Sequence, residues 1–422
     1  GGRPAAALRA QARRLADHLT DRPSLGVTDV AFSLATTRTP LDQRATVLAA
    51  DRDTLLAGLD ALADGRPHDA LAEGTAVTGR TAFVLPGQGS QWLGMGRELL
   101  DTEPVFAENA RRCAAAVREL VDWDVLAVLR GEPGDIDPDR IDVIQPVLFT
   151  VMVSLARTWQ AYGVTPDAVV GHSQGEIAAA HLAGGLSLED AVRVVVLRSR
   201  ALRTLTVRGG MASVLLPEEQ VRTRLAPFAD RLWIAAVNGP ASVALTGDPD
   251  ACDAFVAACA ADGVQARRIP GAASPGHSPH VDALREDLMA GLAGLAPRSG
   301  DVPFYSTVTG GLLDTAGLDA AYWCRNMREP VRFEPAVRAL LADGHRLFVE
   351  PSPHPVLVTS LQQCAEADDH EVTVTGTLRR GEGGPGRLRT ALAHAWTGGA
   401  PVAWPRVFAD AGARRIDLPT YA

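Results

Sequence analysis

A serine stands between two glycines in "VVGHSQGEIAAA", residues 169–180, where a β-branched pair gives way to an alanine-rich run. The pattern G-x-S-x-G, Gly171 to Gly175, suits a sharp strand-to-helix corner that presents the Ser173 hydroxyl at a helix N-terminus. Backbone N–H groups there, that of Gln174 among them, can receive the charge of a developing oxyanion. The chemistry implied is attack on an acyl group with an acyl-serine intermediate. The same five letters also fit a tight turn whose serine only caps a helix. The strand before the motif and the helix after it favour the nucleophile.

A serine hydroxyl needs a base. Of the ten histidines, His172 adjoins the serine and is expected to point elsewhere. His277 is better placed, because "SPGHSPHVDAL" puts it in a Pro/Gly-rich loop before a helix, and loops on a rigid scaffold often carry catalytic groups. At this level His280, His181 and His354 stay open. Four arginines (Arg193, Arg198, Arg200 and Arg203) share one helical stretch and read equally as a solvated face. The loop "PGQGSQ" follows the buried-strand run "TAFVL" and could cradle phosphate, but it contains neither G-x-G-x-x-G nor G-x-x-x-x-G-K.

The scaffold must position these groups. At 422 residues, 46% of them apolar, the chain has material for two or three domains with a buried core. A net charge of −9 argues against a nucleic-acid surface. All 41 basic residues are arginine, so no lysine serves as Schiff base or general base. Five scattered cysteines form no CxxC pair, which fits a reducing compartment and no metal site. No apolar run approaches the roughly 20 residues of a membrane span, and no signal-peptide pattern opens the chain. The expected location is the cytoplasm, with no membrane partner. The start at Gly1-Gly2 reads as a piece of something longer.

Residues 4–20 read as an amphipathic helix with Leu8, Ala12, Leu15 and Leu19 on one face. "VTDVAFSLATTRT" and "QRATVLAA" read as strands, and "DRDTLLAGLDALADG" as a helix capped by Asp51 or Asp53. Residues 1–75 thus form a small α+β unit, linked onward by "RPHDALAEGTAVTG". Alternating strands and helices from residue 76 predict an α/β, hydrolase-like core with a largely parallel sheet and a nucleophile elbow, over 76–210 and 271–375. Between them, residues 211–270 read β-α-β-β-α-β, the order of a ferredoxin-like subdomain. Residues 376–422 read as a linker over the body, with one helix.

"FVLPGQGSQWLGMG", "GHSQGEIAAAHLAGGLSLEDAVRVVVLRSRAL", "GHSPHVD" and "NMREPVRFE" closely resemble the acyltransferase domain of modular type I polyketide synthases. These domains are relatives of malonyl-CoA:acyl-carrier-protein transacylases. The resemblance covers nearly the whole chain. It implies that residues 1–75 are a ketosynthase-to-acyltransferase linker and that "IDLPTYA" ends a linker wrapping back over both. It implies that Ser173 attacks a malonyl-type acyl-CoA with His277 as general base. The acyl group then passes to the phosphopantetheine thiol of an acyl carrier protein. No cofactor is permanently bound, and the ketosynthase is a neighbour in the same polypeptide. The backbone amides of Gln88 and Gln174 are expected as the oxyanion hole, and Arg198 as the grip on the substrate carboxylate. A backbone carbonyl, matched to Asn326, orients the imidazole in place of a triad acid. Gln145 matches a glutamine near the acyl site.

The extender is expected to be α-branched. Gln174 after the nucleophile and "RIDVIQ" at 140–145 resemble the methylmalonyl pattern. The four residues ending at the histidine read YASH or HAFH in the family but are Ser274, Pro275, Gly276 and His277 here. Gly276 leaves empty the space a phenylalanine fills, and Ser274 removes the bulk of a tyrosine; Pro275 would stiffen the loop. The pocket is therefore expected to take methylmalonyl or larger. Three other readings compete: a serine hydrolase of the α/β-hydrolase type, whose acid could come from Glu189 or Asp190; a non-catalytic docking module; and a free-standing transacylase.

Overall fold

The computed structural model describes residues 1–2, 4–207, 209–270 and 276–421. The chain opens with α1 (Ala5–Thr20), α2 (Val27–Thr37), β1 (Gln43–Val47), α3 (Arg52–Asp64) and β2 (Leu71–Thr75). Leu8, Ala12, Leu15 and Leu19 of α1 are buried against α3, as their spacing requires. Asp51 caps α3 by accepting from the Thr54 amide at 2.8 Å. Two expectations fail here. The "VTDVAFSLATT" run is α2 and not a strand, because Val30 and Ser33 face the core at helical spacing and outweigh the β-branched composition. The presumed linker contains β2, which pairs antiparallel with β1 and gives that strand its partner.

The large body follows: β3 (Arg80–Leu85), α4 (Arg97–Thr102), α5 (Pro104–Arg118), α6 (Val125–Arg130), α7 (Ile141–Ala161), β4 (Ala168–Gly171), α8 (Gly175–Leu182) and α9 (Leu188–Thr204). The helix α7 has 21 residues and is apolar enough by composition to cross a membrane, against the expectation that no such run exists. Its apolar window is 89% buried inside the fold, so it is the central core helix, packed against α5 and α9.

A second layer is inserted as β5 (Gly210–Val214), α10 (Glu218–Leu225), β6 (Leu232–Gly239), β7 (Ser242–Gly247), α11 (Pro249–Ala261) and β8 (Ala266–Arg268). The strands run β6-β7-β5-β8, all antiparallel. That is the ferredoxin-like arrangement.

The chain then returns through α12 (Arg285–Gly291), β9 (Phe304–Ser306), β10 (Gly311–Leu313), α13 (Ala320–Arg328), β11 (Val331–Arg332), α14 (Phe333–Ala342), β12 (His345–Glu350), α15 (Val358–Ala367) and β13 (Thr373–Gly376). The main sheet has the order β10-β9-β4-β3-β12-β13, parallel except for the edge strand β10. Strand β11 extends the small sheet by pairing with β6, which ties the two layers together. Finally α16 (Pro385–Thr397) and a short α17 (Trp404–Val407) lead into an extended tail. This tail lies on the N-terminal unit: the amide of Ile416 donates to Ser33 Oγ at 2.9 Å, and the Tyr421 hydroxyl to the Thr39 carbonyl at 3.0 Å.

Candidate active site

Strand β4 lies inside the parallel sheet with all four residues buried, and three residues separate its end from the start of α8. The corner between them holds Ser173 at φ 54°, a left-handed conformation that costs an L-residue roughly 1–2 kcal/mol. Packing forces it. A Cβ at Gly171 would stand 2.2 Å from the Glu176 nitrogen, and one at Gly175 2.1 Å from the Leu85 carbonyl oxygen. Both glycines are therefore obligatory, and the turn between them can only project the serine outward.

His277 meets that serine from a loop 104 residues later in the chain: Ser173 Oγ and His277 Nε2 are 2.7 Å apart. His277 is itself at φ 59°, held by its amide donating to the Met327 carbonyl at 2.9 Å. Its Nδ1 lies 2.8 Å from the Glu329 carbonyl oxygen. A carbonyl only accepts, so Nδ1 carries the proton and Nε2 offers its lone pair to the hydroxyl. This corrects the expectation for Asn326. The orienting carbonyl belongs to Glu329, three residues on, just past the end of α13, where a carbonyl has no helical partner. Asn326 instead lies buried within the last turn of α13, and its side-chain amide donates to the Ser173 carbonyl at 3.1 Å and to Glu176 Oε2 at 2.8 Å.

Arg198 of α9 is only 2% exposed. Its Nη2 donates to Ser173 Oγ at 3.1 Å and its Nη1 to Gln145 Oε1 at 2.8 Å, while the Nε finds no partner. The Gln145 amide nitrogen reaches Gln88 Oε1 at 3.3 Å. The guanidinium stands beside the hydroxyl and forms no ion pair among the described residues; burial, opposed by the charge of Glu176, lowers its pKa to about 10. Burial, followed by the neighbouring positive charge of Arg198, pushes His277 down to about 3. The imidazole is neutral and its lone pair available.

The loop after β3 lies against the elbow: a Cβ at Gly87 would be 3.6 Å from Ser173 Cβ. The amides of Gln88 and Gln174 donate to no protein acceptor among the described residues. The Gln174 side chain is 1% exposed, and both of its polar atoms lack partners. A Cβ added at Gly276 would meet nothing within 4 Å among the described residues. Ser274 and Pro275 lie outside the described residues. Elsewhere on α9, Arg203 faces outward and pairs with Asp142 at 3.1 Å.

Sequence reasoning missed three supports. Glu176, one turn after the serine, is fully buried and accepts from the Thr307 amide and hydroxyl, the Tyr322 hydroxyl and the Asn326 amide. A buried glutamate in the first turn of an alanine-rich helix was the available signal. His172 points away from the serine, its Nε2 2.8 Å from Asn238 Oδ1 on β6, and so clasps the elbow to the small layer. Glu329 contributes only its main chain, which no side-chain motif can reveal.

Residues 82–402 match the acyl transferase domain family, and residues 2–66 match the RhiE-like, KS-MAT linker domain family. The polyketide synthase GfsE of Streptomyces halstedii is 54% identical over 420 residues, covering 99% of this chain but 11% of that protein. The chain therefore spans about a tenth of the length of that curated relative. The crystal structure of the acyltransferase domain from module 8 of the salinomycin polyketide synthase is 50% identical with a TM-score of 0.94, covering 96% of each chain. The acyltransferase domain of SpnD, solved in complex with 2-(pent-4-yn-1-yl)malonyl, is 30% identical with a TM-score of 0.82, covering 94% of this chain and 95% of that one.

Proposed function

The chain belongs to the acyl transferase domain family of modular polyketide synthases, and from that premise we propose that it transfers an α-branched malonyl-type unit, methylmalonyl or larger, from CoA to an acyl carrier protein. The observation that carries the reading is the convergence of His277 Nε2 and Arg198 Nη2 on one Ser173 Oγ, at 2.7 and 3.1 Å. In the first half-reaction the Ser173 proton moves to His277 Nε2 as Oγ bonds to the thioester carbon. The oxyanion is received by the amides of Gln88 and Gln174. The C–S bond then breaks, and the CoA sulfur takes the proton from His277. The second half repeats these steps with the phosphopantetheine thiol as nucleophile and Ser173 as leaving group.

Arg198 supplies the selection for a free carboxylate. A buried guanidinium without an anionic partner is costly, and a bidentate carboxylate offsets that cost while fixing the acyl group. Its arrival also cancels the positive charge that depresses His277, so the base strengthens when the correct donor is bound. That no described residue comes within 4 Å of a Cβ at Gly276 supports room for a Cα branch, and the larger malonyl group of the SpnD complex is consistent with such room in a relative. The hydrolase reading loses its support, since the imidazole partner is a main-chain carbonyl and not Glu189 or Asp190. The linker match at residues 2–66 supports an adjacent ketosynthase in the intact synthase.

Intact-protein mass spectrometry tests the proposal. After incubation with equal malonyl-, methylmalonyl- and ethylmalonyl-CoA, the adduct on Ser173 should carry a branched unit and should clear on adding carrier protein. A dominant malonyl adduct would overturn the branched assignment. Hydrolysis unaffected by carrier protein would overturn the transferase mechanism.

A further inference from the structure

A second cationic cavity lies at the other end of α8. It has a volume of about 320 Å³ and is lined by Asn109 and Arg112 from α5, Val153 and Arg157 from α7, His181 from α8 and Leu188 from α9. Ser173 and His181 are eight residues apart, about 12 Å at 1.5 Å per residue of helix, so the cavity is separate from the acyl site. No acidic side chain lines it. Among the described residues neither Arg112 nor Arg157 forms an ion pair, and the one side-chain bond to Arg157 comes from a neutral acceptor, Gln160 Oε1, at 2.9 Å. Elsewhere guanidinium groups meet carboxylates, as Arg130 meets Asp101 and Arg140 and Arg203 share Asp142.

Arg157 is half-buried and Arg112 exposed, and two like charges on one cavity wall repel each other unless an anion sits between them. Burial first, and then the charge of Arg112, lower the pKa of Arg157. Burial first, and then the charges of Arg157 and Arg112, lower the pKa of His181 against its bond to the Leu186 carbonyl and the charge of Glu189, which lies outside the cavity wall. The Asn109 side chain spends its amide nitrogen on the Val105 carbonyl at 2.8 Å. Val153 and Leu188 give the cavity an apolar floor.

We propose that this cavity is a binding site for a small oxyanion, a phosphate or carboxylate head group on a short body, held between Arg112 and Arg157. The volume exceeds that of a bare ion and suits a compact metabolite. The forked donors of two guanidinium groups match either head group.

Isothermal titration of the whole chain tests the site, with inorganic phosphate and malonate as probes at ionic strength fixed by chloride. Saturable binding of one probe, weakened at least tenfold in Arg157→Met, is the expected result. The stronger probe identifies the head group. Arg112→Ala, a change on an exposed helix face, should weaken binding in the same way and guards against a folding defect in the first variant. Both variants should acylate Ser173 at the unaltered rate. Equal binding in wild type and both variants would place the anion elsewhere, at Arg198 for example, and overturn the proposal. A response that never saturates would reduce it to charge screening and overturn it as well.

Discussion

His277 Nδ1 donates to the main-chain carbonyl of Glu329 at 2.8 Å while its Nε2 faces Ser173 Oγ at 2.7 Å. One carbonyl thereby fixes both tautomer and ring orientation, the task an acid performs in a triad. Replacing the Glu329 side chain leaves that carbonyl in place. Glu329→Ala should hold acylation kcat/KM within about threefold of wild type, since the tautomer depends on the main chain. The lost surface pair with Arg325 is worth at most about 1 kcal/mol in a denaturation midpoint.

Asn326→Ala should cost more than Glu329→Ala, and still less than Ser173→Ala, which removes acylation altogether. The truncation strips a donor from the Ser173 carbonyl and from Glu176 at once. A stability loss of about 1–3 kcal/mol is expected in urea titration, from buried acceptors left without a donor.

Glu176→Gln tests the brace beneath the elbow. The carboxylate accepts from four donors, and a carboxamide would turn one of its own N–H groups against them. Thermal unfolding should show a loss of about 2–4 kcal/mol from the broken network. The Ser173 acylation rate should fall with it, because the strained serine loses its support.

The pH profile follows from the depressed base. With His277 at about 3, acylation should show no histidine inflection between pH 8 and pH 5 in stopped-flow measurements. Arg198→Met removes the second cause of the depression and should bring an inflection upward. Stability moves the same way: below the unfolded histidine value of about 6.5, the unfolded chain binds a proton that the folded chain refuses until about 3. Folding stability from this group is therefore lost progressively as pH falls through that window. His277→Ala should flatten the slope of urea midpoint against pH.

Selectivity rests on two positions. Arg198→Ala should raise the activation free energy read from kcat/KM for malonyl-type donors by about 2–5 kcal/mol, the range for truncating one partner of a buried charge pair. Acetyl-CoA should be nearly unaffected. Gly276→Phe should fill the space beside His277 and shift the methylmalonyl-to-malonyl ratio about 10- to 200-fold toward malonyl, read by competition.

Local patterns carried much of this. The obligatory glycines at 171 and 175 announced a corner, and α1 wrote its buried face in Leu8, Leu15 and Leu19. The α2 segment misled because β-branched composition is a weak prior that packing overrides. The strand β2 was hidden because "LAEGT" has no apolar alternation and gains its identity only from pairing with β1. A main-chain carbonyl orients the imidazole as expected, but it belongs to Glu329 and not Asn326, since a helix-end carbonyl is available at several successive residues and only the chain path selects one.

Sequence alone determined where a strained corner would present a hydroxyl. A serine forced into a left-handed corner can do little except project its hydroxyl, and that constraint is local, written within five residues. Tertiary structure decided which imidazole and which guanidinium meet that hydroxyl and which carbonyl orients the imidazole, because those groups arrive from chain segments between 25 and 156 residues away. It also decided the charge state of the base. Burial and a neighbouring cation set that state, and neither exists until the sheet, the inserted layer and α9 have packed around the corner.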